Sequence, residues 1–358
     1  MNAVVAKRAD AYDIAKGLGI IAVVFGHSGA PFVGFVSLYH MALFFFISGY
    51  FYKDCYTQEP LLLVKKRIKS LYLPFIQYGL FFGLLHNFLF SINIYTDQVE
   101  SLYNKVVYFS SFREYAVNLL KILSFAKVEQ ILATLWFLPV LFIVNVLFVL
   151  TRYVIFRLDP EKQNLLLPVA IAALFCAGYV YYPEKNLVLR PVSIAMVVTS
   201  MYYFGYLFKK HESVIDFNAG YALACLAILL ISFPYGSVDT GGHQFVSPPF
   251  YLASSLCGIY LNLYVAKLFT RESVVKTFLL FAGINSITIM ALHFLAFKAV
   301  NYLQVSVYGL QPFLTAKHPV LITTGGWWLL YLTAGVSLPL LAQALYDRFK
   351  QAVLKNRR

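Results

Sequence analysis

The chain has 358 residues, of which 60 % are hydrophobic, 18 % aromatic and only 13 % charged, with a formal net charge of +13. A soluble domain carries about 25 % charged residues, so this composition excludes a soluble globular protein and reads as a polytopic integral membrane protein. The basic residues sit in short clusters between apolar runs, which speaks for membrane topology and lipid headgroups and against nucleic acid.

The opening NAVVAKRADAYD is polar and reads as a cytoplasmic N-terminal segment, residues 1–13, rather than a signal peptide. A membrane helix needs roughly 20 mostly apolar residues. Ten such runs follow in order: 14–35, 37–53, 71–93, 131–151, 164–183, 189–208, 217–235, 249–269, 277–303 and 320–346. Continuous runs of this length mean helices, not the short alternating strands of a barrel. The expected fold is therefore all-α, a polytopic helical bundle of about ten transmembrane helices. The segment 94–130 mixes charges with apolar residues at helical spacing in FSSFREYAVNLLKILSF, and is expected to lie in the interface or cap the bundle. With the N-terminus inside, twenty Lys and Arg fall on the cytoplasmic side and seven on the other, with Lys16 and Lys298 inside spans. That bias predicts both termini in the cytoplasm and a basic tail at 347–358; with no internal repeat, low-complexity tract or soluble domain in the sequence, one membrane domain over 1–358 is expected, with the inner membrane as its expected location.

The four cysteines, Cys55, Cys176, Cys225 and Cys257, form no CxxC pair and no Cys/His cluster, so neither a disulfide framework nor a metal site is expected. In the loop GSVDTGGHQF (236–245), Asp239 and His243 are too few for a metal and the loop reads as flexible.

The chemistry starts in the first span, DIAKGLGIIAVVFGH (13–27). At 3.6 residues per turn, Asp13, Lys16 and His27 fall along one stripe. Asp13 and Lys16 are three apart and can pair, and His27 lies roughly 16 Å beyond Lys16 along the axis. An ionisable group at that depth tends to face a cavity and carry function. A neutral imidazole suits a general base; the residues alone leave proton relay, catalysis and a structural hydrogen bond open. The second span carries YHMALFFFISGYFY (39–52), with His40 at its outer end and Gly49 near its inner end. Then KKRIKSLYLPF (65–75) brings Lys65, Lys66, Arg67 and Lys69 together at the cytoplasmic face, either as an anchor for anionic lipid or as a clamp for phosphates.

These stretches, with LWFLPVLF (135–142) and INSITIMALHF (284–294), resemble the acyltransferase-3 family, and within it the fucose 4-O-acetylase-like branch. The resemblance runs in order across most of the spans. It implies ten membrane helices and transfer of an acyl group, usually acetyl from acetyl-CoA, to a hydroxyl of a sugar, surface polysaccharide or other cell-envelope glycan. It implies that Lys65, Lys66, Arg67 and Lys69 hold the CoA phosphates, with Trp136 stacking on donor or acceptor. The pantetheine arm passes Lys16, which Asp13 holds in place, and the thioester lies by His27 as general base, or as a nucleophile that carries the acyl group. Asn285, Ser286 and His293 are expected either to line the acceptor side or to hydrogen-bond between helices. Lysine stands at 16 where many relatives have arginine, and Ser70 is neutral where they carry another arginine. The rival expectation is a transporter or flippase for a sugar-linked or amphipathic solute. His86, on an apolar span without motif support, reads as structural, and His318 as a boundary residue of no assigned role.

Overall fold

The computed structural model describes residues 3–98, 106–183, 186, 189–269 and 271–355. The charges counted above at Lys7, Arg8, Lys105, Lys185, Lys355, Arg357 and Arg358 lie outside the described residues and side chains. The architecture is an all-helical bundle with no β-strand among the described residues, only an isolated bridge between Asp239 and Gln244. Seven helical stretches among the described residues are long and apolar enough to cross a membrane, and Ala219–Tyr235 and Val274–Ile284 are shorter apolar helices. The chain is thus a polytopic helical membrane protein.

Three expected spans are interrupted, each for a local reason. The run 14–35 is not one helix: α1 (Ala3–His27) stops at His27, because Gly29 adopts a left-handed backbone and Pro31 follows. The chain then restarts as Val33–Ser37 and α2 (His40–Tyr50). The run 71–93 is entered through α3 (Pro60–Arg67) and one π-helical turn, Ile68–Tyr72. It continues as α4 (Leu73–Leu84) and breaks again before His86–Ser91. Pro74 lacks an N–H for the preceding turn, which widens it. The run 277–303 breaks at Asn285. Its side-chain amide donates to the carbonyl of Phe281 at 2.9 Å, competing with the backbone ladder.

Between residues 106 and 130 the chain forms α5 (Phe112–Leu123), an amphipathic helix started by a capping box between Ser111 and Glu114. Its buried Ile122 packs on Gly79 and Gly83 of α4, while Phe112 and Leu120 stay exposed. The remaining long helices are α6 (Phe137–Leu158), α7 (Gln163–Val180), α8 (Leu189–His211), α9 (Ala219–Ser232), α10 (Pro248–Leu268), α11 (Val274–Ile284), α12 (Ser286–Tyr308) and α13 (Trp327–Lys355).

Two glycine crossings set the bundle. Gly49 of α2 lies against the carbonyl of Tyr202 in α8, and Gly205 of α8 lies against the carbonyl of Phe46 in α2. Gly17 of α1 meets the carbonyl of Leu279, and Gly283 of α11 meets that of Asp13. No side chain fits between these backbones, which is how small residues bring membrane helices together. The crossings fix α1, α2, α8 and α11 as a tight core, with the apolar outer faces of α7, α9 and α13 left exposed for lipid.

The loop 236–245 is not the loose connection expected. Val238, Thr240 and Phe245 are buried, the Asp239 carboxylate accepts from the Gly242 N–H at 2.9 Å, and His243 Nε2 donates to the Gly178 carbonyl at 2.8 Å. His243 also stacks on Tyr182, so the loop is packed by its own side chains.

Candidate active site

The stripe on α1 begins with an ion pair. Lys16 Nζ lies 2.6 Å from Asp13 Oδ1, both side chains about a quarter exposed. The glycine crossing on α11 anchors this end of α1. His27 is fourteen residues from Asp13, about 21 Å along the axis, so the pair holds Lys16 and does not orient the imidazole.

His27 is the last residue of α1, half-buried, and four of the protein's seven histidines gather there. Its ring stacks on His293 of α12 with centroids 5.6 Å apart and planes 24° from parallel, and meets the edge of Phe294 at 5.1 Å. His40 and His318 lie close enough to interact electrostatically with it. His318 reaches in from the segment between α12 and α13 and meets the ring of Phe294 at 4.6 Å.

Hydrogen bonding defines what His293 can do. Its Nδ1 lies 3.0 Å from the carbonyls of both Ile289 and Met290, and a carbonyl can only accept. Nδ1 therefore carries the proton, and in the neutral ring Nε2 presents a lone pair. That Nε2 is buried and has no protein partner. Thr134 Oγ1 donates to the same Met290 carbonyl at 2.8 Å, tying this turn of α12 to the short helix Gln130–Trp136. His40 repeats the arrangement, with Nδ1 donating to the Val36 carbonyl at 2.7 Å.

The basic motif lies at the opposite end of α1 and is divided in two. Lys65, Lys66 and Lys69 are exposed. Arg67 turns inward, where Nε donates to Asn145 Oδ1 at 2.8 Å and a terminal nitrogen reaches Ser48 Oγ at 3.5 Å. Tyr202 donates to the same Asn145 oxygen at 3.0 Å. Ser70, in the π-helical turn, has a buried hydroxyl with no partner. Lys65 also lines a surface hollow of about 590 Å³ with Gln58, Glu59 and Tyr153.

Other expected residues are not brought together. Trp136 packs against Gly241 of the 236–245 loop, at the end of α6 remote from the lysines. Asn285 and Ser286 sit at the helix break, two residues beyond the Gly283–Asp13 contact and roughly 12 Å along α12 from His293. They stand level with the Asp13–Lys16 pair and not with the histidines.

His86, expected to be structural, lies in a separate buried polar network. Its Nε2 donates to the Val107 carbonyl at 2.9 Å, and Nδ1 lies 2.9 Å from Glu129, whose carboxylate also accepts from Tyr95 and Asn118. Burial alone would raise the Glu129 pKa, but the bonds from His86 and Asn118 hold it below the ordinary carboxylate value. No motif marks Glu129, Thr134 or His318, because each is recruited by long-range packing.

No curated protein and no solved structure gives a significant match to the chain. The acyltransferase-3 family model, described as an acyltransferase domain, matches residues 10–346, from ahead of Asp13 to beyond Pro339 in α13. That stretch contains both ends of the α1 stripe, the basic motif and all four gathered histidines, and the protein belongs to the acyltransferase-3 family of membrane acyltransferases.

Proposed function

We propose that this membrane acyltransferase moves an acyl group, acetyl first among them, from acyl-CoA to a hydroxyl of a sugar or cell-envelope polysaccharide, as the fucose 4-O-acetylase-like branch would. The observation that carries the reading is the His27–His293 pair at one end of α1 with the basic motif at the other. A donor with phosphates at one end and a thioester at the end of a long arm needs that separation. The rival reading, a transporter, has no support from the family.

The basic end faces the cytoplasm of an inner membrane in this reading, with both termini there. The exposed ammonium groups of Lys65, Lys66 and Lys69 meet the CoA phosphates. Arg67 points inward from the same motif and marks where the arm enters. Lys16, held by Asp13, and then Asn285 and Ser286 border the route along α1. Trp136 belongs with the acyl end and not with the phosphates.

At the histidine end, His27 takes the proton of the acceptor hydroxyl as its oxygen attacks the thioester carbonyl. The new ester C–O bond forms, the C–S bond breaks, and the CoA thiolate leaves and is protonated. His293 presents a lone pair and no N–H toward the site, so it accepts a hydrogen bond from an O–H group there.

The test uses membranes containing the full chain or His27→Ala, given acetyl-CoA labelled on the acetyl group. The reading expects CoA release and labelled glycan from the wild type, with His27→Ala binding donor but losing transfer by 100-fold or more. Equal transfer by both would remove His27 from the chemistry.

A further inference from the structure

Only six buried side-chain N or O atoms among the described residues lack a hydrogen-bond partner, and two of them belong to the gathered histidines: His293 Nε2 and His318 Nδ1. Leaving a buried polar atom unpaired is costly, and such atoms concentrate where a ligand supplies the missing bond. The two rings share one floor, the phenyl ring of Phe294, with centroids 4.3 Å and 4.6 Å from it.

The segment that carries His318 is held with unusual thoroughness. Lys298 is 2 % exposed and donates to the carbonyls of Ala316 and Lys317, both at 2.7 Å. Asn301 donates to Thr315 and Lys317. Gln304 exchanges a pair of bonds with the backbone of Ile322, and the Leu321 N–H donates to Tyr331. The backbone on either side of His318 is thus held in place by four buried side chains of α12 and α13, while this ring nitrogen stays unpaired.

We propose that His318 is an acceptor-binding residue: its Nδ1 and His293 Nε2 hold the hydroxyl-bearing part of the acceptor over Phe294, beside His27. This rests on the acyltransfer reading above and adds the residue and the binding geometry on the acceptor side. The group it describes is a hydroxyl, which donates to His293 Nε2 and accepts from His318 Nδ1 in the tautomer that carries its proton there.

The test compares His318→Ala, His318→Asn and His318→Gln in the full chain, in membranes given acetyl-CoA labelled on the acetyl group. Asparagine places an amide nitrogen near the position of Nδ1, and glutamine places it near that of Nε2. The expected result is a tenfold or greater loss of label transfer in His318→Ala with acetyl-CoA binding retained, recovery to within threefold of wild type in His318→Asn, and no recovery in His318→Gln. Transfer by His318→Ala within twofold of wild type overturns the proposal, as does equal rescue by glutamine and asparagine. The two amide variants keep the test open should alanine fail to fold. Absence of transfer by the wild type itself would sink the acyltransfer reading, and this proposal with it.

Discussion

The hydroxyl of Thr134 and the imidazole Nδ1 of His293 converge on one oxygen, the carbonyl of Met290. The first bond ties α12 to the helix before α6, and the second sets the tautomer of the buried histidine. Thr134→Val removes the hydroxyl at nearly constant volume and leaves the His293 bond in place. A net hydrogen bond contributes about 1 kcal/mol, so the variant should lose about that much stability and transfer two- to fivefold more slowly. Thermal unfolding and label transfer on the same preparation check both.

His293→Asn separates the two functions of that ring. Asparagine can still donate to the Ile289 or Met290 carbonyl but has nothing at the position of Nε2. If the lone pair acts on the acceptor, transfer should fall by about 10²-fold with the protein folded and the KM for acetyl-CoA unchanged. A variant as active as wild type would make His293 a packing residue.

The divided basic motif predicts two phenotypes. Replacing Lys65, Lys66 and Lys69 with glutamine should raise the KM for acetyl-CoA about tenfold and flatten its dependence on salt, since exposed charges are screened. Arg67→Ala strips Asn145 and Tyr202 of their shared cation and should cost stability as well as donor affinity. Measuring KM and unfolding for both separates surface attraction from internal support.

His318 lies outside the spans, and burial, with Lys298 and His293 adding repulsion, pushes its pKa down to about 3 from the ordinary 6.5. The folded state therefore takes up its proton later than the unfolded chain. Its contribution is full above about pH 6.5 and is lost progressively as pH falls toward 3. The depressed Glu129 carboxylate acts in the same direction but only below its ordinary value of 4.5. Melting temperatures of wild type and His318→Asn should thus converge as pH falls from 7 to 5. Curves that stay parallel over that interval would refute the assignment.

The α1 stripe was legible in the sequence because a helical period alone places Asp13, Lys16 and His27. The end of α1 at His27 was less so, since the apolar run continues through Val33 and Phe35 and only Gly29 and Pro31 mark the stop. Asn285 read as an acceptor-side residue within a continuous span, yet it bonds its own backbone and breaks that span. His318 was out of reach. Its place depends on Lys298, Asn301, Gln304 and Tyr331, residues with no shared motif that meet only once α12 and α13 pack. The inward turn of Arg67 escaped because a cluster of cations looks uniform until the backbone phase at Ile68 is known.

That phase has a consequence for how the chain tolerates length changes. A π-helical turn is an α-helix that has absorbed one extra residue. Deleting a residue from an ordinary helix swings everything beyond it by about 100°. Deleting Ser70 from Ile68–Tyr72 would instead restore a regular turn and leave Arg67 on one side and α4 on the other facing as they do now. The third span thus holds one spare residue, and it is the one whose buried hydroxyl bonds to nothing.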